Sequence, residues 1–188
     1  MPKIMALDCE FNQPSRKTIE IGAAVYDVRS AALVDRFQTY VDPGEPITPY
    51  ITDLTTITDA NVRGAPNIKE AFSALKSFHE KHQCFMNPLV WGSGVRNDSL
   101  ALYEEAAPSE PNFMGFRVVD AKTLYQSVMM FENLKARGGL KDACERLGIG
   151  FEGTSHTALA DAMNTFRLWY YLVRMFHDGY QGSGRKFK

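Results

Sequence analysis

The chain reads as one α/β domain built on a mixed sheet, and three observations support this. Lys3-Ile4-Met5-Ala6-Leu7 is a short, nearly continuous apolar run with the character of a strand buried on both faces. Two more strand patterns, Glu20 to Asp27 and Phe37 to Val41, follow at the close spacing of an antiparallel meander. Beyond them short apolar strands alternate with helical patterns, the order expected when strands and helices share one sheet.

Each element has a local reason. Asp42-Pro43-Gly44-Glu45-Pro46 punctuates the end of the meander. Asn67, with Glu70 three residues on, forms a capping pair that predicts a helix to about His82. Leu89-Val90-Trp91 is a fourth strand, followed by the turn Gly92-Ser93-Gly94 and a helix from about Asn97. Phe116 to Val119 is a fifth, running into a helix near Ala121; Leu140 to Leu147 is a short helix ended by Gly148. A long last helix is expected from about Ala158 to His177. Residues 1–178 are thus read as the domain and 179–188 as a flexible tail carrying Arg185, Lys186 and Lys188.

A length of 188 residues suits a single core. No apolar run approaches the ~18 residues of a membrane span, and Met1-Pro2-Lys3 does not open a secretory segment. Cys9, Cys84 and Cys144 are odd in number and scattered, which argues against a disulfide framework or a structural zinc site and for a cytoplasmic setting. A net charge of −1 argues against a protein that binds by a large basic surface.

Asp8 and Glu10 stand at i and i+2 at the end of the first strand, so both side chains project from one face and Cys9 from the other. Like charges beside a buried run repel and lose hydration unless a cation lies between them. Hard oxygen ligands of this kind suit Mg²⁺. Asp161 stands on the same helix face as Leu168, Leu172 and Met175, which continues an apolar stripe into a charge. His156, five residues earlier, would point away from Asp161 on a continuous helix. Thr157 as N-cap places it instead in the preceding loop, able to lean over the helix end. Asp98 follows the fourth strand and its glycine turn, which lacks the third glycine of a dinucleotide fingerprint. His79, His82 and His177 have no such neighbours and read as surface residues.

In this order these pieces resemble the DEDDh exonucleases of the RNase H-like superfamily, which includes proofreading subunits, ribonuclease T and RNA-trimming enzymes of the enhanced-RNAi type. The D-x-E motif matches Asp8-Cys9-Glu10, the second-motif aspartate matches Asp98, and H-x-A-x-x-D matches His156-Thr157-Ala158-Leu159-Ala160-Asp161. Ile19-Glu20-Ile21-Gly22-Ala23 resembles the family's E-I-G strand. Leu54-Thr55-Thr56-Ile57-Thr58 resembles its L-T-x-I-T segment, with Thr56 where glycine is common, and Leu140 to Ile149 its short helix ending in L-G-I.

The resemblance implies a five-stranded mixed sheet flanked by helices and hydrolysis from the 3′ end of single-stranded RNA or DNA, RNA slightly favoured. Asp8, Glu10, Asp98 and Asp161 would hold two Mg²⁺ ions, for which Mn²⁺ can substitute; His156 would be the general base, and nucleoside 5′-monophosphates the products. Phe11, Leu54, Thr55 and Ile57 are the expected contacts of the terminal nucleotide. A homodimer and a targeting partner both stay open, and a catalytically silent binding module on the same fold is the alternative.

Overall fold

The computed structural model describes residues 2–92 and 97–182. β1 (Lys3–Phe11) takes the centre because both of its faces are apolar over most of its length. It pairs antiparallel with β2 (Thr18–Asp27), which pairs antiparallel with β3 (Leu33–Tyr40). α1 (Pro49–Thr55), α2 (Asp59–Val62) and α3 (Ile68–His82) lead to β4 (Leu89–Val90), which lies parallel to β1. After α4 (Asp98–Ala106), β5 (Val119–Asp120) adds parallel to β4, giving the order β3-β2-β1-β4-β5. The chain ends with α5 (Ala121–Phe131), α6 (Leu140–Arg146) and α7 (Ala158–Gly182). This is the expected mixed five-stranded sheet flanked by helices.

Strand alternation divides the core in two. Met5, Leu7, Cys9, Ile21 and Val25 pack against Phe72 and Leu75 of α3 and Leu102 of α4. Ile4, Ala6, Ala24 and Tyr26 face the other way, toward Tyr125 of α5 and Phe166, Leu168 and Leu172 of α7. Tyr26 and Phe166 stack with ring centroids 3.7 Å apart. Leu168 and Leu172 are fully buried, each contributing about 1.5–3 kcal/mol. Met175, expected on the same stripe, is 53% exposed, beside Val128 and Phe131 of α5.

Other expectations shift. β4 and β5 are two-residue strands, and the fifth falls at Val119–Asp120, leaving Phe116 exposed. Asp120 is drawn to that position by its cap, since its side chain accepts from the backbone N–H groups of Lys122 and Thr123. The pair at α3 forms as read: Asn67 accepts from Lys69 and Glu70 backbone N–H groups, and Glu70 accepts from Asn67 N–H at 3.0 Å. His79 and His82 are buried rather than on the surface. His82 Nε2 lies 2.9 Å from Asp35 Oδ2, and the His79 ring packs on Phe113. α7 continues through residues 179–182; residues 183–188, with the basic part of the tail, lie outside those described, as do Ser93 to Arg96 of the glycine turn.

One contact sets how close α7 comes to the sheet. A Cβ on Gly22 of β2 would fall 2.1 Å from the backbone nitrogen of Leu159. Gly22→Ala should therefore cost at least the upper end of the ~1–3 kcal/mol range of overpacking, because backbone cannot yield as a side-chain tip can. Chemical denaturation checks this, and a variant as stable as the wild type would show that the approach is looser than described.

Candidate active site

Register fixes the first two acids. Asp8 is paired with Gly22 and Glu10 with Glu20 across β1 and β2, and all four belong to the face on which α7 lies. Pairing shifts at Glu10/Phe11, where β1 leaves the sheet. α7 begins over Gly22, so its first turn carries Asp161 to the end of β1. Asp98 is the first residue of α4, behind Asn97, whose side chain accepts from Leu100 N–H at 3.1 Å. The Cys9 backbone N–H of β1 lies close enough to Asp98 to favour its charged form.

His156 sits in the loop before the helix, as its spacing requires. Thr157 C=O accepts the first helical bond, from Asp161 N–H at 3.0 Å. His156 has φ 62°, a left-handed backbone. Its N–H points back to Asp161 Oδ2 at 3.3 Å. The outcome is one cavity of about 540 Å³ lined by all five expected residues: Asp8, Glu10, Asp98, His156 and Asp161. Ligand atoms of Glu10, His156 and Asp161 lie within 4.8 Å of one another.

These acids are electrostatically frustrated. Burial, and then the charges of Asp98, Asp161 and Glu10, hold Asp8 well above the usual carboxylate range. Burial, then Asp161, Glu20 and Asp98, push Glu10 up to about 8. Burial raises Asp98 to about 7 against the opposing pull of the Cys9 N–H, and Asp161 to about 6 against that of His156 N–H. Among the described residues no salt bridge reaches any of the four. Asp161 Oδ1 is buried with no hydrogen-bond partner. A hard divalent cation fits this donor set: it would satisfy the orphaned oxygen and remove the repulsion that raises each acid.

The expected substrate contacts divide. Phe11 is half-buried with the Arg16 guanidinium 6.0 Å from its ring centroid, and Leu54 is 39% exposed. Thr55 and Ile57 are buried, Ile57 in a small core with Ile19, Ile47, Ile51 and Val62. Thr56 has φ 65° at the C-terminus of α1, which explains why glycine is common at this position of the resembled segment. Trp91, Lys141, Asp142 and Ser155 also line the cavity, and no motif announced them. Trp91 could have been suspected, being a large aromatic just after a strand that ends beside the acids.

An RNase H-like exonuclease domain is the class that this sheet order and this meeting of acids define. Residues 5–169 match the family model described as exonuclease, RNase T, and the chain belongs to that family. It is similar to DNA polymerase III PolC-type of Halalkalibacterium halodurans, 36% identical over 169 residues that cover 86% of this chain and 11% of the polymerase. It is similar also to ERI1 exoribonuclease 2 of Danio rerio, 30% identical over 199 residues, 93% of this chain and 34% of that protein. The chain thus spans a minor part of each relative's length. Among solved structures, the nuclease domain of 3′hExo, a DEDDh family member bound to rAMP, superposes with a TM-score of 0.73 at 20% identity. That match covers 94% of this chain and 92% of that one.

The raised acids make stability depend on pH. Each binds its proton more tightly folded than unfolded, so the folded state carries extra protons between about pH 4 and the folded pKa, and stability falls as pH rises through that window. Without divalent ions the melting temperature should fall from pH 5 to pH 8.5. Asp8→Asn should flatten this fall, and Mg²⁺ or Mn²⁺ should restore the wild type at high pH by binding only the folded state. Equal ion-induced shifts in wild type and Asp8→Asn would place the ions elsewhere.

Proposed function

We propose that the chain is a divalent-metal-dependent 3′–5′ exonuclease acting on single-stranded 3′ ends, RNA ahead of DNA, and releasing nucleoside 5′-monophosphates. The observation that carries this is the convergence of Asp8, Glu10, Asp98, His156 and Asp161 on one cavity whose acids form no salt bridge among the described residues. Asp8, Glu10 and Asp161 would hold one Mg²⁺, and Asp8 with Asp98 a second, supplying charge stabilisation to the attacking and leaving oxygens.

His156 is exposed on the cavity wall, with its backbone fixed by Asp161, and acts as general base toward the attacking water. Leu54 is displayed from a rigid base: Thr55 Oγ1 donates to Ile51 C=O at 2.8 Å and accepts from Ile57 N–H at 3.1 Å. Phe11 and Leu54 then meet the terminal nucleotide, while Thr55 and Ile57 hold them from the core side. Trp91 adds an aromatic surface, with Lys122 Nζ 5.9 Å from its ring centroid, suited to stacking a base of any identity. RNA preference draws on the exoribonuclease relative and on the fold shared with the rAMP-bound nuclease domain. The three free thiols suit a cytoplasmic setting, and targeting falls to a partner.

The test is a panel of 3′-labelled single- and double-stranded RNA and DNA oligonucleotides with products resolved by length. Mononucleotide release that requires Mg²⁺ or Mn²⁺ is expected, fastest on single-stranded RNA; binding without release would indicate a silent module. His156→Ala should slow the chemical step roughly 10²–10⁴-fold while leaving metal-dependent stabilisation in place. Trp91→Ala should instead raise KM about ten-fold or more with kcat largely kept, in line with ~1–3 kcal/mol for one stacked base. A loss confined to kcat would remove Trp91 from the strand path.

A further inference from the structure

Glu20 is 1% exposed near the start of β2, and none of the chemistry above uses it. Its neighbours give it a definite task. Glu20 is paired with Glu10 in the β1–β2 register, on the face toward α7. Its Oε2 accepts from Ala158 backbone N–H at 2.9 Å, and its Oε1 from Gln38 Nε2 at 2.7 Å. Ala158 is the first residue of α7, so its N–H is one of the donors a helix leaves without an intrahelical acceptor. Two residues along β2, Gly22 lets Leu159 come down on the sheet.

We infer that Glu20 is a positioning residue that fixes the start of α7, and with it His156, from the adjacent strand. This inference rests on the exonuclease reading for its kinetic part alone. His156 is held between two anchors, its own N–H on Asp161 Oδ2 and the N–H of Ala158, two residues on, on Glu20. A carboxylate serves both donors at once. A glutamine here could keep the Ala158 N–H only as a neutral acceptor, with the Gln38 amide turned to receive its NH₂, whereas an alanine leaves the Ala158 N–H without this partner. The charge also suits the positive end of α7. It is kept although it lies close enough to Glu10 and Asp161 to raise both.

Glu20→Gln, with Glu20→Ala beside it, tests the assignment by two readouts. In substrate-free protein, amide hydrogen exchange over residues 155–161 should accelerate at least about ten-fold in Glu20→Ala, and less in Glu20→Gln, while β1 and the body of α7 stay protected. With 3′-labelled RNA, kcat should fall roughly 10- to 100-fold, the scale of a ~1 Å misplacement, and KM should change less than about two-fold. In a His156→Ala background the same substitution should add little, because both changes then remove one function. Glu20 is only structural if exchange rises throughout the sheet and α7, or if its effect on kcat multiplies with that of His156→Ala. Unchanged exchange at 155–161 overturns the assignment outright. Should the wild type release no mononucleotide, the exonuclease reading fails separately and exchange still decides the role of Glu20.

Discussion

The backbone of α7 rests directly on β2 at Gly22, and the rest of the site depends on that approach. An α-helix normally stands about 10 Å from a sheet, held off by side chains on both surfaces. Here one surface has no side chain, and the helix end meets strand backbone. The first turn of α7 is thereby lowered to the level of the β1 carboxylates, which brings Asp161 and Glu10 within range of one ligand. A larger residue at position 22 would lift the helix and separate acids that lie 151 residues apart in sequence.

Lowering the helix also creates the frustration. Four acids are desolvated together, and the charges of Asp98, Asp161 and Glu10 add to the burial that raises Asp8. A fold optimised for stability would place a lysine or arginine among them. Here Lys141 is the one cationic side chain among the described lining residues, and it forms no salt bridge with them. The instability is therefore local and correctable by a cation, the sense in which active sites concentrate perturbed acids. The hydrophobic layers on either side, Leu7 with Leu75 and Leu102 on one, Phe166 and Leu172 on the other, hold the backbone against that repulsion.

Much of this was legible in the residues. Period-two alternation placed Asp8 and Glu10 on one face, and helical spacing removed His156 from α7 into the loop where it stands. The sheet's outer half was harder, because β4 and β5 are two residues each and leave almost no periodicity; Asp120 works as a cap there, which shifted the last strand. His79 and His82 looked solvated because their partners, Phe85 C=O and Asp35, lie in a loop and on an edge strand that nothing in the helix pattern reveals. Trp91 and Lys141 line the cavity as well. Lys141 reaches it through tertiary placement alone, whereas the place of Trp91 just after a strand ending beside the acids was the one hint the sequence held.

For a chain of net charge −1, handling a polyanion on the proposed reading would divide the work of binding between bound ions and uncharged surfaces. The cavity's acids would repel phosphate until cations are present, and a strand would be admitted only to a loaded site. The ions would then be part of recognition as well as chemistry. On that reading the remaining grip would come from surfaces indifferent to charge: the Trp91 face in the cavity with Lys122 beside it, and the half-buried Phe11 and exposed Leu54. Such contacts would hold one or two nucleotides and let go readily, with few phosphates neutralised by side chains and little counterion release to favour the complex. Brief engagement of a short end would suit an enzyme that releases its product and accepts a new terminus at every step.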